Sequence, residues 1–266
     1  MTDFPEPGNH RGFRGFDASA VALELSPEQA AELLDIDGLL SRADLVKDSR
    51  TTTCGIVETS AGMVFVKRYN AYNFRKKLSQ LLGVPRPSRV LEATMKLQSF
   101  VPVPKLLASV VERRGLFSRL HGVVCEACRS PLTAAEQIRD VHSRLDEFAA
   151  ALAVIVNTMH CKGIYHGDLK LFNILMRRNH YGVRVGLFDF DSTRCCGSPV
   201  AGNRRAREWA RVITSYLWCC RNAGMSESSE RAVNVFASAA GSLDMRDLFA
   251  HMRNIEAKTA AKEAES

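Results

Sequence analysis

The 266 residues carry 36 Lys and Arg against 29 Asp and Glu, a net charge of +7, and the isoelectric point lies near 9.1. With 46% hydrophobic and 24% charged residues, the chain can bury a substantial core, which excludes a disordered or fibrous protein. No apolar run approaches the ~18 residues that a membrane-spanning helix needs.

The basic surplus favours an anionic partner, a description that nucleic acid, acidic lipid and phosphorylated glycan all meet. Basic residues gather in Arg68, Arg75, Lys76, Lys77, Arg86 and Arg89, and again in Arg204, Arg205 and Arg207. Met1 to Pro7 has neither a basic leader nor an apolar core, so no secretory signal is expected. Eight cysteines in an unexported chain read as reduced thiols. Cys125-x-x-Cys128, Cys195-Cys196 and Cys219-Cys220 lack the regular two-plus-two spacing of a structural zinc site.

Residues 1 to about 20 are rich in Gly, Pro and Arg and without period, so a loose arm is expected. Ser26-Pro27-Glu28-Gln29 then opens a helix with a capping box and a proline at its first position, and Asp37-Gly38 reads as the turn that closes the segment. From Thr51 to Glu58 and from Met63 to Tyr69 the pattern is β-like, with a turn at Ser60-Ala61-Gly62 between, which predicts a hairpin. Lys67 ends the second of these apolar strands. A glycine-rich phosphate loop is absent; its place holds Ser49-Arg50-Thr51-Thr52-Thr53-Cys54-Gly55, so amides and hydroxyls near Thr53 and Gly55 would have to cover phosphates. A helix over about Ser88 to Phe100 carries Glu92 and ends at Val101-Pro102-Val103-Pro104, where prolines force extended backbone. Lys105 to Val111 and Gly122 to Glu126 read as two more strands.

Thr133-Ala134-Ala135-Glu136 is a second capping box. Leu145, Phe148, Leu152, Ile155, Val156 and Met159 recur at helical spacing in a stretch too apolar for the surface, and Gly163 is placed to terminate it. Immediately after comes Tyr165-His166-Gly167-Asp168-Leu169-Lys170-Leu171-Phe172-Asn173, which matches the phosphoryl-transfer loop H-x-D-L-x-x-x-N. In that loop Asp168 accepts or orients a substrate hydroxyl proton and Asn173 holds metal. Ile174-Leu175-Met176 and Val183 to Leu187 form a hairpin around a turn at 177–182, and Asp189 follows in Leu187-Phe188-Asp189-Phe190-Asp191 as a second carboxylate, placed to bind metal. The order has a chemical reason: phosphoryl transfer asks for positioned ligands and charge neutralisation, which rigid neighbouring loops supply. Beyond it, Arg204 to Cys220, Ser229 to Ala240 and Leu243 to Ile255 read as helices, and a frayed polar tail is expected over 257–266.

Catalytic loop, metal aspartate, strand lysine and helix glutamate in this arrangement resemble the protein-kinase-like superfamily. Within it, Val66-Lys67-Arg68-Tyr69-Asn70, Val101-Pro102-Val103-Pro104 and the two catalytic runs are similar to the lipopolysaccharide core (Kdo/heptose) kinases over roughly residues 45–220. The resemblance implies an α+β, two-lobed fold: an arm and helix over 1–44, a small antiparallel-sheet lobe with one helix over 45–126, and a mainly helical lobe over 127–266, with ATP in the cleft between lobes. It implies that Lys67 holds the α- and β-phosphates with Glu92 as its ion-pair partner, that backbone at Glu126 and Ala127 meets adenine, and that Asn173 and Asp189 hold Mg2+. Asp168 and Lys170 are the expected catalytic pair, Lys170 neutralising charge on the moving phosphoryl group. Asp191 would assist the metal or brace the loop.

The implied acceptor is a sugar hydroxyl of a lipid-linked, anionic lipopolysaccharide core at the cytoplasmic face of the inner membrane, with peripheral contact to anionic lipid and no nucleic-acid partner. Gly167 stands where regulated protein kinases commonly carry arginine, and no A-P-E follows Asp189, so an activation-segment switch is not expected. Two other readings stay open: a small atypical Ser/Thr protein kinase without an activation segment, and a nucleotide-binding scaffold without turnover.

Overall fold

The computed structural model describes residues 16–20, 25–70, 85–113, 119–127, 132–180 and 182–264. The chain divides into two compact units, Met1–Met95 with Pro104–Cys128, and Lys96–Val103 with Arg129–Ser266.

The first unit is built on a six-stranded sheet in the order β1-β5-β6-β4-β3-β2, with strands β1 (Phe16–Ala20), β2 (Asp44–Asp48), β3 (Thr52–Thr59), β4 (Gly62–Tyr69), β5 (Leu106–Arg113) and β6 (Arg119–Glu126). Every pairing is antiparallel. The expected hairpin is β3–β4, whose register runs from Thr52 opposite Tyr69 to Thr59 opposite Gly62. Side chains alternate across a strand, and β4 uses both faces. Val64 and Val66 join Leu33, Ile36, Leu39, Leu40, Val110 and Val124 in one buried cluster. Tyr69 faces the other way, into a cluster with Val90, Leu106 and Val123. The helices on these faces are α1 (Pro27–Leu34), α2 (Ile36–Ser41) and, on the Tyr69 side, α3 (Arg86–Leu97).

Two local expectations change here. Phe16–Ala20, assigned to a loose arm, is an edge strand paired with β5. The Asp37-Gly38 turn is not formed: both residues lie inside α2, because the Asp35 side chain accepts from Gly38 N at 3.0 Å and the helix buries its own Ile36, Leu39 and Leu40. The Ser26 capping box is present, with Gln29 N on Ser26 Oγ at 3.2 Å and Ser26 N on Gln29 Oε1 at 3.0 Å.

The second unit centres on helix α5 (Leu145–Cys161), which follows the short α4 (Ile138–Ser143). Nine α5 positions are buried, and Phe148 meets Phe236 of α7 (Ser229–Ala240) edge to face at 6.3 Å. Helix α6 (Gly202–Asn222) adds Trp209, Ile213 and Tyr216 to that core, and α8 (Met245–Ala264) packs along α6. The tail expected to fray is thus helical through Ala264. A three-stranded sheet joins β10 (Gly182–Leu187), β9 (Ile174–Asn179) and β7 (Leu132–Thr133) in that order, and a two-stranded one pairs β8 (Ile164–Tyr165) with β11 (Arg194–Cys195). Thr133 and Glu136 exchange the expected reciprocal bonds, but they head a turn; the helix starts later, at Ile138. Lys96–Val103 belongs to this unit because Leu187 N donates to Pro102 O at 3.0 Å.

Candidate active site

The loop between β8 and β9 is held from three sides. His166 is fully buried, and its Nε2 lies 3.1 Å from Phe188 O, while Asp168 N lies 3.4 Å from its Nδ1. A carbonyl only accepts, so the neutral tautomer with hydrogen on Nε2 satisfies both contacts. Gly167 has φ +82°, and a Cβ there would fall 2.5 Å from Ser192 O. The loop can therefore pass under Phe190–Ser192 only with glycine at this place. Gly167→Ala is expected to lose about 1–3 kcal/mol, read as a lower urea midpoint with unchanged slope.

From below, Glu208 of α6 accepts from Gly167 N at 2.6 Å and His166 N at 3.3 Å, and its Oε2 sits 2.8 Å from His160 Nε2. Glu208 is fully buried and His160 nearly so. Leu171 N donates to Ser215 Oγ of the same helix at 3.0 Å. Sequence reasoning missed Glu208. Its signal was an acid four residues before Val212 and eight before Tyr216, inside an apolar stripe where a charge needs dedicated partners.

Asp168 presents a carboxylate clamped by two cations. Arg211 Nη1 is 2.5 Å from Oδ1, and Lys170 Nζ is 2.9 Å from Oδ2. Asn173 Nδ2 donates to Asp168 O at 2.8 Å and to Oδ2 at 3.2 Å. With that amide nitrogen committed to Asp168, Oδ1 of Asn173 is the atom left to face a cation. Asp189 ends the hairpin β9–β10 in a left-handed conformation, φ 63° and ψ 63°. It is the single non-glycine residue with positive φ among those described, a conformation kept only where surroundings enforce it and concentrated at functional sites. The His166 ring and the neighbouring Phe190 ring are in tilted contact, their centroids 5.5 Å apart.

Among the described residues no group of three or more His, Cys, Asp or Glu could hold a metal. Mg2+ in phosphoryl-transfer sites is held by one or two protein oxygens plus phosphate and water. The oxygens of Asn173 and Asp189 fit that need and would suit zinc poorly. Cys128 of the Cys125-x-x-Cys128 motif lies outside the described residues.

In the first unit, Lys67 lies on β4 opposite Cys54 and Val123, on the same sheet face as Tyr69, whose ring is 5.5 Å from its Nζ. Glu92 lies on the exposed flank of α3. Thr53 and Gly55 are not loop residues: both lie inside β3. The buried Thr53 hydroxyl donates to Asp48 Oδ1 at 2.9 Å and accepts from Asn70 Nδ2 at 3.0 Å, which leaves it poorly placed to cover a phosphate. A Cβ on Gly55 would fall 2.8 Å from Asp44 O, so close strand approach accounts for that glycine. The N–H of Glu126 goes to Lys105 O at 2.8 Å and that of Ala127 to Met63 O at 3.0 Å. Neither N–H is open to an adenine edge, and residues 128–131 lie outside the described residues.

A family model described as "Lipopolysaccharide kinase (Kdo/WaaP) family" matches residues 47–209, more than half of the chain. No curated protein matches. Among solved structures, "WaaP in complex with acyl carrier protein" superposes with a TM-score of 0.59 at 13% identity, covering 90% of this chain and 96% of that one. At that identity the likeness establishes the fold alone, which is protein-kinase-like.

Proposed function

The chain belongs to the lipopolysaccharide kinase (Kdo/WaaP) family, and on that premise we propose that it transfers the γ-phosphate of ATP to a hydroxyl of an inner-core sugar, heptose or Kdo. The observation that carries this reading is the set Asp168, Lys170 and Asn173, bonded to one another within a loop pinned by His166 and Glu208.

Asp168 orients the acceptor hydroxyl and receives its proton as the new P–O bond forms and the bond between the γ-phosphorus and the bridging oxygen breaks, releasing ADP. The Lys170 ammonium, already 2.9 Å from Asp168, neutralises charge gathering on the moving phosphoryl group. Asn173 and Asp189 are the residues for Mg2+, which when bound neutralises the β- and γ-phosphates. Lys67 is proposed for the α- and β-phosphates, with Glu92 as its partner. Thr53 and Gly55 have no part in this reading, and Glu126 and Ala127 enter only through carbonyl oxygens.

No helix among the described residues is long and apolar enough to cross a membrane. Work on a lipid-linked acceptor is proposed from the cytoplasmic face of the inner membrane, by peripheral contact, on the strength of the family reading.

The test is transfer of labelled γ-phosphate from Mg-ATP to lipopolysaccharide lacking core phosphate, beside a mixed protein acceptor. Label is expected on the glycan. Label on protein alone would replace this reading with the atypical protein kinase.

A further inference from the structure

Helix α6 runs beside the catalytic loop in register. Arg204 lies over the Tyr165 ring, its guanidinium carbon 6.0 Å from the centroid. Arg211 pairs with Asp168, Ser215 binds Leu171 N, and Trp218 meets Phe172 edge to face at 5.8 Å. Positions 204, 207, 211, 215 and 218 are three or four apart and so form one helix face. Its upper part is arginine only, and it follows Asp191 too closely for an activation segment to intervene.

The charge on this face is in surplus. Asp168 is a single carboxylate shared by Arg211 and Lys170. Arg204 and Arg207 are exposed, and no salt bridge among the described residues reaches either; Arg204 contacts Cys196 Sγ at 3.6 Å and the Tyr165 ring. The nearby acid Glu208 is consumed by backbone N–H groups and His160. The Nε of Arg211 and the hydroxyl of Tyr165 are both buried without a hydrogen-bond partner. Burial and the Glu208 carboxylate raise the Tyr165 phenol above its ordinary pKa, against the opposing fields of Arg207, Arg211 and Arg204. Arginine is the side chain suited to gripping carboxylate or phosphate with a planar fork.

We propose that Arg204, Arg207 and Arg211 form an anion-reading surface for the acceptor. They grip a carboxylate or phosphate already present on the core oligosaccharide and so bring the neighbouring hydroxyl to Asp168. Arg211 is the junction, since the guanidinium that touches Asp168 ends the row that holds the anion. The inference rests on the lipopolysaccharide-kinase reading and deepens it: the acceptor is recognised by charge placed beside the reacting hydroxyl.

The test crosses two changes. Deacylated core oligosaccharide is compared with the same sugar after carboxyl reduction and phosphate removal, using the wild-type chain and the Arg204→Gln/Arg207→Gln variant. For wild type, neutralising the acceptor is expected to raise KM about tenfold, as for the loss of one or two good charge-assisted contacts. The variant raises KM for the charged acceptor by a similar factor and no longer distinguishes the two sugars. A variant that still prefers the charged sugar by the wild-type factor would overturn the proposal. So would an effect seen only with lipopolysaccharide in anionic vesicles and absent with the deacylated sugar, which would assign the row to the membrane surface. Should wild type phosphorylate neither sugar, the family-based function fails separately. Calorimetric binding of the two oligosaccharides then reads the row by itself, and equal affinity for both would overturn it.

Discussion

Asp168→Asn is expected to lower the rate of phosphoryl transfer about 10²- to 10⁴-fold, the range for losing a positioned acid–base group. The variant keeps the shape of the side chain and removes its charge. Arg211 Nη1 at 2.5 Å and Lys170 Nζ at 2.9 Å then lose their common counter-ion. These cations are 26% and 40% exposed, so water can solvate what Asp168 releases and the stability cost is small, about 1 kcal/mol or less. The loss is therefore one of chemistry and not of folding, separable by finding thermal unfolding almost unchanged beside a rate that has collapsed. KM for ATP should move little, because Asp168 serves the acceptor side. A variant retaining more than a tenth of wild-type turnover would remove Asp168 from the reaction.

The parts of this site that could be read from the sequence are those in which chemistry is local along the chain. Asp168, Lys170 and Asn173 fall within six residues, so their mutual bonds follow from one loop conformation, and the hairpin that delivers Asp189 is marked by two apolar runs around a turn. Glu208 and Arg211 act on the same loop from more than 40 residues away, and no short-range pattern announces that pairing. Arg204, Arg205 and Arg207 stood out as a basic cluster, but helical spacing extends the row to Arg211, which composition does not reveal.

Where local signals misled, a competing force can be named. Asp37-Gly38 has turn chemistry, yet the Asp35 cap and three buried side chains of α2 outweigh it. Residues 257–264 are polar, but Ala, Lys and Glu are strong helix formers and α8 is already nucleated against α6. Thr53 and Gly55 were placed by analogy with a phosphate loop. The β3–β4 ladder claims them instead, because paired backbone and a buried hydroxyl bonded to Asp48, Asn70 and Arg68 satisfy more polar groups than an open loop would.

Glu208→Ala is expected to be the most damaging single substitution in the second unit, costing about 3–5 kcal/mol, as for leaving several hydrogen-bond donors without their acceptor at roughly 1–3 kcal/mol each. Three donors converge on this carboxylate: His160 Nε2 at 2.8 Å, Gly167 N at 2.6 Å and His166 N at 3.3 Å. Two belong to the backbone of the catalytic loop, so the truncation unties the loop as well as the core, and turnover should fall with stability. Glu208→Gln separates the two effects. The amide oxygen can still accept from one backbone N–H, but its NH2 then faces another donor, at a cost of about 1–3 kcal/mol, so Gln should fall between wild type and Ala. The decisive arm is a double variant, His160→Met with Glu208→Leu. If the carboxylate mattered only as the partner of His160, replacing both by apolar groups would recover most of the stability. The structure predicts that it does not, because no apolar side chain can accept from the buried N–H groups of His166 and Gly167. Urea unfolding of the single and double variants, followed by near-ultraviolet circular dichroism from Trp209 and Tyr216 of the same core, gives the comparison. Recovery to within about 1 kcal/mol of wild type would show that the catalytic loop does not depend on Glu208.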